Sequence, residues 1–398
     1  MSLLLIEYHG TEREIALLED GQLLEYVKDN HQAGLSAEDI YLGQVGRVMK
    51  SLSAVFVRLS KDVEGFLPFH EIPGGKVPRP GDQLLVQVKR PPQGSKAAYL
   101  TCDIALPGAS VLLMPMSQAL RVSKRIHDEG ERQRLLLLAK ALAPAGCGLV
   151  MRQESTGKEA EDIRPELELL LSRWRDIQAE SARHTAPCPI AQAPDALSKL
   201  LRELHEKPER VLSNQADLLP DQGIVVSYTE SPMQLYDVHH KLAKALRRKI
   251  NLKSGATLVI DPCEAMTVID VNTAKSVLGR DRDKALKDTN AEAAQEIARL
   301  LRLRRVGGIV LIDFIDMDAA ESRMQVLETL KSALARDPVK TAVHGFTSLG
   351  LIELTRKKAD APLAAANLRI CPACRGTGYM PDEALDEEST QELPIDDA

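Results

Sequence analysis

Two apolar runs, a long helical segment and a third apolar run follow one another between Thr257 and Asp316, and this order restricts the fold more than any other feature. Thr257 to Asp261 and Met266 to Asn272 read as two buried β runs, with a turn expected at Asp261-Pro262. Asn290 stands where it would cap a helix whose Ala294, Ile297 and Leu301 recur at helical spacing, and Gly307-Gly308 marks its end. Ile309-Val-Leu-Ile-Asp313 is nearly all apolar, as in a buried strand. Strand, helix, strand in this order makes a βαβ-like unit. Asp270 and Asp313, far apart in sequence, then meet at neighbouring strand ends, and alternation puts Asn272 on the face of Asp270.

Two carboxylates and an amide oxygen converging among basic residues suit a hard cation. Magnesium takes oxygen ligands and needs only one or two protein carboxylates plus a substrate phosphate. Such an ion polarises a phosphoryl oxygen and lowers the pKa of a bound water, so phosphodiester hydrolysis is the natural chemistry. An Asp at a strand end also serves as a turn former or helix cap. Asp316, just beyond, is either another acid of the site or a partner for a nearby Arg.

The formal charge of −6 looks wrong for a nucleic-acid protein, but the last eighteen residues hold eight acids and no base, leaving about +2 for the rest. Basic residues cluster in Lys241, Lys244, Arg247, Arg248 and Lys249, and again in Arg299, Arg302, Arg304 and Arg305. These are candidate walls of an electrostatic groove or, more simply, solvated helix faces. Aromatics make up only 3% of the chain, so any exposed ring matters for base stacking. The N-terminus turns polar too soon for a secretory segment, and no run of ~20 apolar residues could cross a bilayer. A cytoplasmic protein without membrane contact is expected, and structural disulfides among its six cysteines are not.

Elsewhere, Leu3 to Tyr8, Glu14 to Glu19 and Gln22 to Val27 read as strands joined by turns, the second turn at Asp20-Gly21. They are too few for a domain and should complete a sheet with later strands. From about Tyr41 to Thr101, five short β runs fit a small closed barrel of the OB type. Residues 105 to 187 mix strands (Ser110 to Met114, Gly148 to Arg152) with helices at Glu129 to Leu142 and Ile163 to Arg183. Further helices are expected at Asp195 to Leu204 and Asp237 to Ile250. The tail beyond Pro381 lacks the apolar content to fold.

Ile260 to Asn272, Thr289 to Arg304 and Gly307 to Met317 closely resemble core blocks of the ribonuclease E/G family, in its short form, and the likeness runs from Met1 to Met380. The resemblance implies an α/β multi-subdomain architecture: an RNase H-like subdomain in two parts (1–37 and 188–250) that receives an S1 RNA-binding barrel (38–104) and a 5′-sensor-like unit (105–187). A DNase I-like catalytic subdomain (251–366), a zinc-link (367–380) and a disordered acidic tail (381–398) follow. It implies a magnesium-dependent endoribonuclease acting on single-stranded RNA in rRNA processing or mRNA decay, with Asp270 and Asp313 as magnesium ligands and Asn272 positioning the metal or the phosphate.

By the same resemblance Phe56, Phe66 and Lys96 hold the RNA strand on the barrel. Arg152 matches the first residue of a sensor for 5′-monophosphate ends. Gln153 stands in place of the family's Thr, and Lys340 in place of a distant Arg. Lys keeps the charge but loses bidentate phosphate recognition, so sensing should be weakened.

Cys371-Pro-Ala-Cys374 is half of a four-ligand zinc site, with no second pair of suitable spacing nearby. The family shares one zinc between two protomers through this motif, which implies a homodimer. A thioredoxin-like redox pair is the alternative, weakened by the Gly-rich turn that follows. Long members continue into a further small domain and a scaffold, and this chain stops eighteen residues after Met380, so tetramers and scaffold partners are not expected. Two other classes compete with the enzyme: a non-catalytic S1-type RNA-binding or ribosome-associated protein, which would be expected to lose one acid, and a zinc-organised structural protein, which explains only the two cysteines.

Overall fold

A computed structural model describes residues 2–30, 34–75, 77–92, 96–204, 207–215, 225–273, 282–358, 362–364, 368–369 and 371–372. The chain divides into two compact units, Met1–Val238 and His239–Ala398.

In the first unit, Ser2–His9, Glu12–Glu19 and Gln22–Asn30 form an antiparallel meander. Its second turn is made by Asp20 and Gly21, both at positive φ (48° and 77°), a pair suited to a two-residue hairpin. As expected for a sheet begun early and finished late, Arg210–Ser213 adds in parallel beside Ser2–His9, and Val226–Tyr228 follows it. Leu197 and Leu200 of the helix Ala196–Glu203 pack with Leu4, Ile6, Ile15 and Leu17 of this sheet.

Ile40–Met49, Ala54–Arg58, Glu64–Pro68, Ala98–Thr101 and Gln83–Arg90 pair in that spatial order, and the last returns to pair with the first. The sheet is therefore a closed five-stranded, OB-like barrel. Val45, Val55, Val57, Leu67, Val86 and Leu100 fill it, all 2% exposed or less. A Cβ at Gly65 would lie 2.5 Å from Leu100 Cδ1, so a larger residue there would displace the buried Leu100 side chain.

Between the barrel and the late strands, Leu106–Pro107, Val111–Met114, Gly148–Met151 and Leu120–Val122 form a four-stranded sheet. It shares a core with the helices Glu129–Leu142 and Ala160–Arg183, in which Leu135, Ile163 and Leu167 are buried. Asp128 accepts from the Glu131 amide at 2.6 Å and caps the first helix.

The second unit holds a six-stranded sheet in the order Lys249–Asn251, Thr257–Pro262, Met266–Asn272, Gly308–Asp313, Ile352–Arg356, Thr341–Phe346. Met266–Asn272 and Gly308–Asp313 are its parallel pair, joined through the helix Arg282–Leu303 as the sequence order requires. That helix packs on Ala320–Ala335. Among the described residues no helix is long and apolar enough to cross a membrane.

Several local expectations are corrected. The turn expected at Asp261-Pro262 falls instead at 263–265, with Asp261 and Pro262 inside the strand Thr257–Pro262. There Asp261 takes a two-pronged ion pair from Arg248 at 2.5 and 2.7 Å. The helix expected from Asp237 to Ile250 is Val238–Ala245, and Lys249–Asn251 is already strand. The expected buried strand at 309–313 is buried on one face only: Val310 and Ile312 are fully covered, whereas Ile309 is 45% exposed. The acidic tail lies outside the described residues.

Candidate active site

Asp270 and Asp313 are register partners on adjacent parallel strands, so their side chains leave the same face of the sheet side by side. Asp270 is half-buried and Asp313 exposed. Asn272, two residues along the same strand and on the same face, donates from Nδ2 to Asp270 Oδ2 at 2.6 Å. Partial desolvation of the otherwise exposed group first, then the charges of Asp270 and Asp316, push the Asp313 carboxyl above its ordinary range. Paired anions of this kind, with an amide fixing one of them, fit a hard divalent cation that needs few protein ligands. Among the described residues no three His, Cys, Asp or Glu side chains form a larger cage.

Asn290 does not cap its helix. It sits inside Arg282–Leu303, fully buried, where its amide donates from Nδ2 to the Ile315 carbonyl at 2.8 Å and accepts from the Ile315 amide at 3.1 Å. It thus replaces a strand partner for the backbone just after Asp313. Helical periodicity gave no sign of this, since a buried Asn among apolar positions reads as a boundary. Asn290→Ala should strand both Ile315 groups and cost about 1–3 kcal/mol, read by denaturant unfolding.

Three cations of the basic clusters are engaged within the chain. Arg304 is buried, donates to the carbonyls of Ala245 (2.7 Å) and Arg247 (2.5 Å), and is lowered by burial to about 10. It ties the end of the helix Val238–Ala245, which corrects both readings of it, as a groove wall and as part of a solvated helix face. Arg299 is held by Glu296 at 2.5 Å and Arg248 by Asp261.

On the barrel, Phe56 and Phe66 are cross-strand partners with ring centroids 5.8 Å apart, edge to face. With Lys96 they line one concavity of about 390 Å³. Sequence reasoning missed Tyr99, whose ring lies 6.2 Å from Phe66, and the guanidiniums of Arg47 and Arg90 above Phe56 and Tyr99. Alternation was the available signal, because Leu100 points inward and Tyr99 therefore outward.

Of the remaining candidates, Arg152 follows the strand Gly148–Met151, and its guanidinium donates to the Gly108 carbonyl. Gln153 opens a short 3₁₀ turn, Gln153–Ser155. Lys340, in the second unit, is exposed. Cys371 is exposed as a free thiol. Cys374 lies outside the described residues.

An OB-like barrel with half-buried outer rings flanked by cations, and a sheet with paired strand-end carboxylates, are the parts of a nucleic-acid-processing protein. A profile of the Ribonuclease E/G family matches residues 105–359. Over 95% of its length the chain is 34% identical to Ribonuclease E of Nostoc sp. (strain PCC 7120), of which it spans 59%. Over the same share it is 33% identical to Ribonuclease G of Salmonella typhimurium and 32% to Ribonuclease G of Escherichia coli K12, spanning 84% of each. The chain belongs to the ribonuclease E/G family.

Proposed function

We propose that this chain is a magnesium-dependent endoribonuclease that cuts single-stranded RNA at the Asp270–Asp313 pair. That it is an endoribonuclease follows from the family. The observation that carries the finer reading is the register pairing of the two aspartates, with Asn272 bonded to the first. A bound magnesium ion would supply charge neutralisation and a more acidic water. Asp270 and Asp313 would hold the ion, and Asn272 keeps the Asp270 carboxylate oriented for it. Phe56, Phe66 and Lys96 would hold the strand by stacking and charge, which tolerates most sequences and favours unpaired RNA.

The subdomain scheme belongs to the same proposal: an RNase H-like part split between 1–37 and 188–250, an S1 barrel at 38–104, a sensor-like unit at 105–187 and a DNase I-like part at 251–366. Arg152 and Gln153 are proposed as a weakened reader of 5′-phosphate ends. A labelled oligonucleotide supplied single-stranded, annealed to its complement, and with 5′-monophosphate or 5′-hydroxyl ends tests these points together. Cleavage confined to the single strand and dependent on added magnesium is expected, with a modest preference for the monophosphate. Equal cutting of the duplex, or cutting in the presence of a chelator, would overturn the reading.

Cys371 and Cys374 are proposed as two of four zinc ligands, the others coming from a second copy. Replacing both by Ser should release zinc and convert a sedimenting dimer to monomer, and a dimer that persists would point to another interface.

A further inference from the structure

We infer that Tyr99, with Arg90 above it, forms a third nucleotide-stacking subsite on the barrel, continuing the row begun by Phe56 and Phe66. The inference rests on the reading of that surface as the one that holds RNA.

Register makes the row. Phe56 pairs with Phe66 across the strands Ala54–Arg58 and Glu64–Pro68, and Phe66 pairs with Tyr99 across Glu64–Pro68 and Ala98–Thr101. Three rings therefore stand on three adjacent strands and the same outer face, at centroid spacings of 5.8 and 6.2 Å. An outward position on a barrel strand is ordinarily polar. A third ring there, only half-buried in a chain with so few aromatics, keeps part of its surface open to a ligand.

The ends of the row are cationic. The Arg47 guanidinium lies 5.2 Å from the centre of the Phe56 ring and that of Arg90 4.4 Å from the centre of Tyr99. A guanidinium over a ring offers a second planar surface for a base and a charge for its phosphate. One concavity joins the set, lined by Leu52, Phe56, Phe66, Arg90, Lys96 and Tyr99.

Tyr99 is also held in place. Its hydroxyl lies 3.3 Å from Glu71 Oε1, to which it donates, and 3.3 Å from His70 Nε2, while Lys89 donates to the same Glu71 oxygen at 2.6 Å. The ring is fixed before a ligand arrives, so little side-chain freedom is lost on binding.

Anisotropy of fluorescein-labelled octauridylate, in magnesium-free buffer that keeps the RNA intact, tests the subsite. Tyr99→Ala should weaken binding about tenfold, as loss of one stacked base does, with the slope of affinity against salt unchanged. Arg90→Ala should reduce that slope by about one phosphate contact. Tyr99→Phe keeps the ring and should bind within about twofold of the natural chain. Phe56→Ala serves as the control for the surface itself. If Phe56→Ala is weakened and Tyr99→Ala is not, the third subsite is wrong and the two-ring surface stands. If neither is weakened, the surface does not hold RNA and both readings fall. A Tyr99→Phe protein as weak as Tyr99→Ala would show that the hydroxyl network matters rather than the ring, which also overturns the subsite.

Discussion

Asp313→Asn, and Asp270→Asn beside it, should each lower cleavage of single-stranded RNA by about a thousandfold or more, the scale lost when one preorganised electrostatic contact to a transition state is removed. The fold should survive, because both acids sit on the face of the sheet that is not sealed in the core, and their strand neighbours Ile269 and Ile312 carry the packing. Thermal stability should be unchanged or slightly higher. Two carboxylates in register repel, which adds to desolvation in raising the Asp313 carboxyl, and an amide in place of either removes that repulsion. Loss of activity with intact unfolding behaviour separates a site residue from a structural one. Undiminished cutting by the double variant would remove the pair from the chemistry altogether.

Asp337→Ala should destabilise the second unit by about 3–5 kcal/mol, the scale for breaking a buried ion pair on one side. The Asp337 and Arg356 side chains are only 2% and 3% exposed, and the guanidinium meets the carboxylate twice, at 2.7 and 3.2 Å. Arg356 also donates to the Val306 carbonyl at 2.8 Å, just before the strand that ends at Asp313, and Asp337 accepts from the Val339 amide at 2.8 Å. Removing the carboxylate leaves a charge that water cannot reach. The control is Arg248→Ala, which breaks an equally close pair with Asp261 at 70% and 42% side-chain exposure and should cost no more than about 1 kcal/mol. Chemical unfolding of both variants decides between them. Equal losses would mean that burial does not set the worth of these pairs.

These two cases show what a sequence displays and what it conceals. The acid pair was legible because alternation and strand-helix-strand order are local patterns with a geometric consequence. The barrel was legible for the same reason, its five short strands being bounded by turn residues. Arg304 and Asn290 were misread because each is polar in a helical pattern, and polarity ordinarily marks a surface or a boundary. Both are buried, paid for by carbonyls and amides from distant segments that no local window contains.

By itself, then, the sequence determined the parallel strand pair, the shared face of Asp270 and Asn272, the barrel and the family, since these depend on periodicity and on residue order. Tertiary structure alone decided which cations remain available and which ring joins the two phenylalanines. It also decided how the backbone after Asp313 is held. Those outcomes depend on register between strands and on which polar groups must find partners once water is excluded.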